Sequence, residues 1–374
     1  MGPSRSTEGE PGSQPQLNPP QVPVVVLAGF LGSGKTTLLN HLLHRSGGSR
    51  VGAIVNDFGA IEIDAMAVAG ALGDSTVSLG NGCLCCAVDA GELDQYLDRL
   101  VNPSLGIDVV VIEASGLAEP QELVRMVLAC ENPRVVYGGL VEVVDAAEFD
   151  DTRARHPEID RHLGLADLVV VNKLDRAADG ERVLGLVRSL TDRAAVVPAT
   201  YGRIDPEFLF DCRPGEERIG QLSFDDLHDD THPEDGHDGH LHTAYDSLAF
   251  TSATPLDPRR LMDFLDSRPE GLYRIKGYVD FGPHDTRNRY AVHAVGRFLR
   301  FYPEPWPTAP EDRLTQLVLI GSGIDTEALT KALDACRAEP PNTADEHGMW
   351  GVLRYVRHPE SEPDAEEPPY PDEP

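Results

Sequence analysis

The residues Gly29-Phe30-Leu31-Gly32-Ser33-Gly34-Lys35-Thr36 hold the spacing G-x-x-x-x-G-K-[ST], in which a glycine-rich turn points its backbone N–H groups at phosphate oxygens. Gly29, Gly32 and Gly34 permit such a turn, and a helix that starts just after it adds the positive end of its dipole. Lys35 would reach the β- and γ-phosphates, and the Thr36 hydroxyl would ligate Mg²⁺. A glycine turn that merely joins a strand to a helix is the competing reading. The apolar run Val22–Leu27 and the helical spacing of Leu38, Leu39, Leu42 and Leu43 supply the context that a phosphate loop requires.

Asn172-Lys173-Leu174-Asp175 follows the apolar run Leu168–Val171 and so stands at the carboxyl end of a strand, where α/β folds bind ligands. The Asp175 carboxylate can accept hydrogen bonds from N1–H and the 2-amino group of guanine. Adenine offers neither donor in that arrangement, so a buried Asp175 would be left unpaired against it. Taken alone, this short string also fits an exposed loop. Behind a phosphate loop it points to guanine, and hence to GTP over ATP.

Val109–Ile112 is an apolar run that leads into Glu113-Ala114-Ser115-Gly116. Glu113 would hold Mg²⁺ through water or orient an attacking water, and the Gly116 N–H would meet the γ-phosphate. A plain strand-to-helix turn is the alternative. Asn56-Asp57-Phe58-Gly59 ends the preceding strand and is the candidate for the first switch, with Asp57 near the metal. It also reads as an ordinary Asn/Asp/Gly turn.

Three of the six cysteines crowd into Gly82-Cys83-Leu84-Cys85-Cys86. Thiols at this spacing converge on one soft or borderline cation if the backbone is non-helical. Small buried cysteines or a redox pair are the competing readings. Gly80 to Gly82 makes the segment pliable enough to respond to nucleotide state. His228, His232, His237, His240 and His242 lie among carboxylates, so they form either a weak auxiliary site for Zn²⁺, Co²⁺ or Ni²⁺ or an inert solvated linker.

The elements that must position these groups alternate. Strand candidates are Val22–Leu27, Val51–Val55, Asp108–Ile112, Val135–Val144, Leu168–Val171 and Ala195–Val197. Helical patterns lie between them, as at Leu93, Tyr96, Leu97 and Leu100 or Val183, Leu186, Val187 and Leu190. Such alternation predicts an α/β domain with a mostly parallel sheet covered on both faces. A small α+β domain follows, with strands at Tyr245–Thr251, Gly271–Phe281, Ala291–Phe301 and Gln316–Ile320. Its helices are expected at Pro258–Ser267 and Asp325–Cys336, the latter capped by Asp325. The expected divisions are a disordered N-terminus at 1–20, a phosphate-loop domain at 21–212 and an acidic, histidine-rich linker at 213–243. The second domain then takes 244–358, and a disordered acidic tail 359–374.

The 374 residues carry a net charge of −30 and 41% hydrophobic residues. That charge repels nucleic acid and acidic membrane surfaces. The stretch 213–243 holds nine acidic and two basic residues, and 359–374 holds seven acidic and none basic. The folded body is therefore less extreme than the total. No run approaches the roughly 20 apolar residues that span a bilayer, and the first residues lack the apolar core of a secretory signal. The expectation is a cytoplasmic protein without disulfides, acting on neither nucleic acid nor membrane, with self-association into a homo-oligomer left open.

These motifs, in this order, resemble the CobW family of P-loop GTPases. The resemblance rests on Gly29–Thr36 with Thr37, Asn56–Gly59, Gly82–Cys86, Glu113-Ala114-Ser115-Gly116-Leu117-Ala118-Glu119-Pro120 and Asn172–Asp175, and extends to Lys276–Phe281. It implies a metal-dependent GTPase in which Cys83, Cys85 and Cys86 bind a cargo metal near the nucleotide. GTP state would then control transfer of that metal to a client metalloprotein. Members are linked to zinc, to cobalt for cobalamin synthesis, and to metal insertion into nitrile hydratase; the histidines here favour zinc. The family pattern N-E-F-G-E is changed, because Asp57 keeps a carboxylate on a shorter arm and Ala60 can ligate nothing. No arginine finger in cis is legible, so slow hydrolysis is expected, since such a residue contributes about 10³–10⁵ in rate. A metal buffer or sensor using GTP as a structural ligand, and a regulatory GTPase with structural cysteines, are the alternatives. A cobalt-handling accessory protein of cobalamin synthesis is another.

Overall fold

Strands that read as unbroken valine runs must be buried on both faces, because no polar alternation marks a wet side. The computed structural model describes residues 20–46, 49–55, 77–78, 90–116, 118–191, 193–210, 246–307, 309, 312–339 and 347–356. Within them β1 (Val22–Ala28), β2 (Val51–Val55), β3 (Val77–Ser78), β4 (Val109–Glu113), β5 (Val135–Asp145), β6 (Leu168–Asn172) and β7 (Ala195–Pro198) form one sheet. Its order is β3-β2-β4-β1-β5-β6-β7, and every pairing is parallel. β1 lies between β4 and β5, with Leu27 opposite Glu113 and Ala28 opposite Glu142. The chain thus leaves β1 where the strand order diverges to either side, and ligands of open α/β sheets bind at such a point.

Helix α1 (Lys35–His44) lays Leu38, Leu39, Leu42 and Leu43 against Val25, Leu27, Val109 and Val111 on one face of the sheet. The opposite face is covered by α2 (Ala90–Leu100), α3 (Pro120–Ala129), α5 (Ile159–Leu165) and α6 (Gly180–Leu190). Helix α4 (Phe149–Arg155) adds Phe149 to the same layer. The sequence patterns single out α1, α2 and α6. α4 and α5 are seven residues each, too short to show a clear 3.6-residue period.

The second sheet is antiparallel, in the order β11-β10-β9-β12-β8. Its strands are β8 (Asp246–Ser252), β9 (Leu272–Val279), β10 (Asn288–Val295), β11 (Phe298–Pro305) and β12 (Thr315–Gly321). α7 (Pro258–Asp266), α8 (Thr326–Ala335) and the short α9 (Trp350–Leu353) pack on it. Asp325 caps α8 as expected, accepting from the Ala328 N–H at 2.9 Å. The single strand expected over Ala291–Phe301 is two strands, because Gly296 turns left-handed at φ 51° and reverses the chain.

Helices alone do not cover the parallel sheet. Tyr273, Val295 and Ile320 of the second sheet join the cluster that holds the α1 leucines, with Val141, Val170 and Phe208. Polar ties run beside them. The Tyr273 hydroxyl donates to the Gly138 carbonyl at 3.3 Å, and His293 Nε2 lies 2.9 Å from the Tyr137 carbonyl. No helix among the described residues is long and apolar enough to cross a membrane.

Candidate nucleotide site

The loop between β1 and α1 is built by backbone that only glycine adopts without strain. Gly29, Gly32 and Gly34 have φ of 142°, 80° and 104°. A side chain at Gly29 would also run into the Val143 carbonyl, and one at Gly34 into the Asn172 amide. Gly34 caps α1 without any side-chain cap hydrogen bond, so the first-turn N–H groups of α1 face the loop. That arrangement is a ready anion site.

Lys35 is 6% exposed and its Nζ donates to the carbonyls of Gly29 at 2.9 Å and Phe30 at 3.3 Å. The Thr36 hydroxyl donates to Glu113 Oε1 at 2.7 Å, and Glu113 is itself buried. Gly116 stands directly against the backbone of Leu31, with no room for a side chain. The structure thus gathers the phosphate loop, Lys35, Thr36, Glu113 and Gly116 at one end of β1 and β4. Ser33 is buried, whereas Thr37 lies exposed on the outer side of α1.

The Asn172-Lys173-Leu174-Asp175 string divides into two kinds of residue. Asn172 is 1% exposed; its Nδ2 donates to the Ser33 carbonyl at 2.9 Å, and its Oδ1 accepts from the Gly202 N–H at 2.8 Å. Lys173 takes a left-handed φ of 58° and donates to the Gly32 carbonyl and to Asp145 Oδ2, each at 2.6 Å. Both side chains hold the phosphate loop from behind. Asp175 is exposed, with Arg176 Nε 3.8 Å away. Its carboxylate is therefore open to a base, and it is not buried as the selectivity argument from sequence supposed.

A 290 Å³ cavity beside the loop is lined by Phe30, Leu31, Ser33, Asp145, Arg155 and Lys173 among others. Arg155 was illegible in sequence because α4 carries it there from 122 residues beyond Ser33. Phe30 packs against His156 in a tilted arrangement with ring centroids 5.0 Å apart and stacks on His162 at 5.9 Å. Burial holds the His162 imidazole below its ordinary pKa, with Glu119 pulling the other way. His162 Nε2 lies 3.5 Å from Glu119 Oε2.

Asp57, Cys83, Cys85, Cys86, His228, His232, His237, His240 and His242 lie outside the described residues. Among the described residues no group of three or more His, Cys, Asp or Glu side chains is placed to hold a metal ion. Cys130 and Cys336 are buried free thiols, each pushed up to about 11 by burial, and so are inert rather than reactive.

A doubly covered parallel sheet with a glycine-rich loop feeding a helix at its switch point, a buried lysine and a Thr–Glu pair defines a P-loop nucleotide-binding protein. Residues 23–198 match the CobW/HypB/UreG nucleotide-binding domain, and residues 245–337 match the cobalamin synthesis protein cobW C-terminal domain. The chain belongs to the CobW family. It is 30% identical over 351 residues to the zinc chaperone CobW of Sinorhizobium sp, covering 85% of this chain and 97% of that one. Identity to the zinc chaperone YjiA of Escherichia coli is 33% over 199 residues, 52% of this chain and 62% of that one. The zinc-regulated GTPase metalloprotein activator 1 of Schizosaccharomyces pombe is 32% identical over 196 residues, 49% of this chain and 47% of that one.

Proposed function

We propose that this protein is a Mg²⁺-dependent GTPase that binds a divalent metal, zinc in preference to cobalt or nickel, at Cys83, Cys85 and Cys86. It passes that metal to a client metalloprotein under nucleotide control. The hydrogen bond between Thr36 and Glu113 beside the glycine loop carries the nucleotide half of this reading. A hydroxyl and a carboxylate at the mouth of a phosphate loop are the hard oxygen donors that Mg²⁺ prefers, so the residues present fit the ion. Bound there, Mg²⁺ would offset charge on the β- and γ-phosphates. Lys35 binds the same phosphates, Gly116 offers its N–H to the terminal one, and Asp175 reads guanine. Asp57 is assigned to the same metal from its motif.

The metal half is supported by the thiol spacing and by the names of the relatives, two of them zinc chaperones and one a zinc-regulated activator of metalloproteins. Three thiolates suit zinc and exclude Mg²⁺. The test is GTP hydrolysis by metal-free protein, titrated with Zn²⁺, Co²⁺ and Ni²⁺ under matched Mg²⁺ with bound metal counted in parallel. One metal that binds at sub-micromolar concentration and changes the rate supports the coupling. Turnover and metal content indifferent to all three would leave a GTPase and end the metallochaperone reading.

A further inference from the structure

Glu142 sits on β5 with Ala28 of β1 on one side and Val169 of β6 on the other, and it is 1% exposed. Val141 and Val143 flank it, and its neighbours across the sheet are apolar, so a valine would fill the position at no electrostatic cost. Neither carboxylate oxygen has a hydrogen-bond partner among the described residues. An isolated buried carboxylate is costly, so packing does not account for this one.

Ala28, the strand partner of Glu142, leads directly into Gly29, whose carbonyl accepts from Lys35 Nζ at 2.9 Å, so the lysine of the phosphate loop lies near enough for its charge to be felt at Glu142. β1 and β6 bring no ionisable side chain to it. On α3, Glu122 and Arg125 pair with each other at 2.9 Å on the exposed side. On α5, Asp160 pairs with Arg153 and Arg161 with Glu119, while His162 turns to Phe30 and Glu119. Glu142 and Lys35 are therefore coupled electrostatically, and Lys35 is the side chain that must hold the incoming phosphates.

We propose that Glu142 is a proton-linked positioning residue for Lys35: nucleotide phosphates bind the form with a neutral carboxyl, and ionisation of that carboxyl draws Lys35 away from them. The inference rests on the reading of the Gly29–Thr36 loop as a nucleotide site. Burial pushes the Glu142 carboxyl up to about 8, against the opposing pull of Lys35. Below that pH the group is neutral and Lys35 is available. Above it, an anion lies within the field of the same lysine that the phosphates need, and phosphate charge nearby disfavours that anion further. Binding at slightly alkaline pH must then take up a proton, and affinity must fall by up to about tenfold per pH unit.

The experiment is calorimetric titration of the full chain with GDP and Mg²⁺ between pH 6.5 and 8.8, in paired buffers of different ionisation enthalpy. The parent protein is expected to take up no proton at the acid end and to approach one per nucleotide near the alkaline end. Glu142→Gln is expected to bind with a flat profile and no uptake; titration of the nucleotide itself is common to both proteins and cancels. Uptake of zero throughout in the parent, or an unchanged slope in Glu142→Gln, overturns the proposal while leaving the nucleotide site intact. Should the variant fail to fold, the proton count of the parent decides alone. No nucleotide binding at any pH would overturn the nucleotide reading itself, and this inference with it.

Discussion

The Thr36 hydroxyl and the Glu113 carboxylate meet at 2.7 Å although 77 residues separate them in sequence. The contact joins the first turn of α1 to the end of β4, and the pairing of Leu27 with Glu113 fixes its height in the sheet. Glu113→Gln keeps the shape and one acceptor but removes the charge. GTP hydrolysis is expected to fall by about 10²–10⁴, and the Mg²⁺ concentration for half-maximal rate to rise. Steady-state hydrolysis as a function of Mg²⁺ checks this. An unchanged rate with an unchanged Mg²⁺ response would remove Glu113 from the site.

Asn172 and Asp175 are three positions apart yet predict opposite phenotypes. Asn172→Ala strips partners from the buried Ser33 carbonyl and Gly202 N–H, which costs about 1–3 kcal/mol for each group left unsatisfied. Denaturant unfolding is expected to report that loss, with weaker binding of guanine and adenine nucleotides alike. Asp175→Ala, at an exposed position, is expected to leave stability within about 0.5 kcal/mol and to erase the preference for GDP over ADP. Preserved selectivity in Asp175→Ala would return the string to the status of an ordinary loop.

The same pair explains which parts of the site were legible in the sequence. The glycine loop is contiguous and its meaning lies in local backbone freedom, so eight residues sufficed to place it after β1. Glu113 could be read because it ends an apolar strand. The bridging role of Asn172 depends on Ser33 and Gly202, which the fold brings together over 139 and 30 residues of separation, and no local pattern encodes that. The run Val135–Val144 reads correctly as a strand but hides Glu142, since one acid in ten residues does not break an apolar run. The cover that Tyr273, Val295 and Ile320 provide on the parallel sheet was equally hidden, because each is a plain strand residue in its own domain.

Glu142 has a consequence for stability as well as for binding. Its folded value of about 8 lies above the ordinary 4.5, so folding favours the neutral form. The sign follows by linkage. The unfavourable contribution is absent below about 4.5, grows as the pH rises to about 8, and is constant above that. Glu142→Gln does not ionise, so its melting temperature is expected to gain on the parent steadily from pH 5 to 8 and then to hold the difference. Parallel melting curves across that window would place the carboxyl in a solvated environment.

Gly296 and Asp167 govern the contact between the two sheets. Asp167 Oδ2 accepts from the Tyr137 hydroxyl at 2.6 Å and from the Leu140 N–H at 2.9 Å, and its Oδ1 faces the Arg297 N–H at 3.4 Å. Gly296 turns at φ 51° against this carboxylate, and a side chain there would overlap Asp167 Oδ1. Gly296→Ala must therefore both strain the hairpin and push Asp167 from its donors. A loss of about 2–4 kcal/mol is expected from backbone strain and disrupted bonds together. Gly164→Ala, where nothing stands within 4 Å of the added carbon, is the control. Equal melting temperatures for the two variants would mean that the hairpin yields without disturbing Asp167.

The cysteine motif carries the prediction on which the metal reading depends most directly. Serine at position 85 keeps the volume of cysteine, but its hydroxyl stays protonated at neutral pH and is a poor ligand for zinc beside two thiolates. Cys85→Ser is expected to lower tightly held zinc in the presence of a competing chelator. Guanine-nucleotide affinity should be unchanged, since the groups at the phosphate loop are supplied by other parts of the chain. The histidines between 228 and 242 would then account for the weaker zinc that the chelator removes from both proteins, because imidazoles interspersed with carboxylates hold zinc less tightly than converging thiolates. Equal zinc retention by Cys85→Ser and the parent would refute the thiol site. Loss of nucleotide affinity along with zinc would instead make the cysteines part of the nucleotide site's own framework.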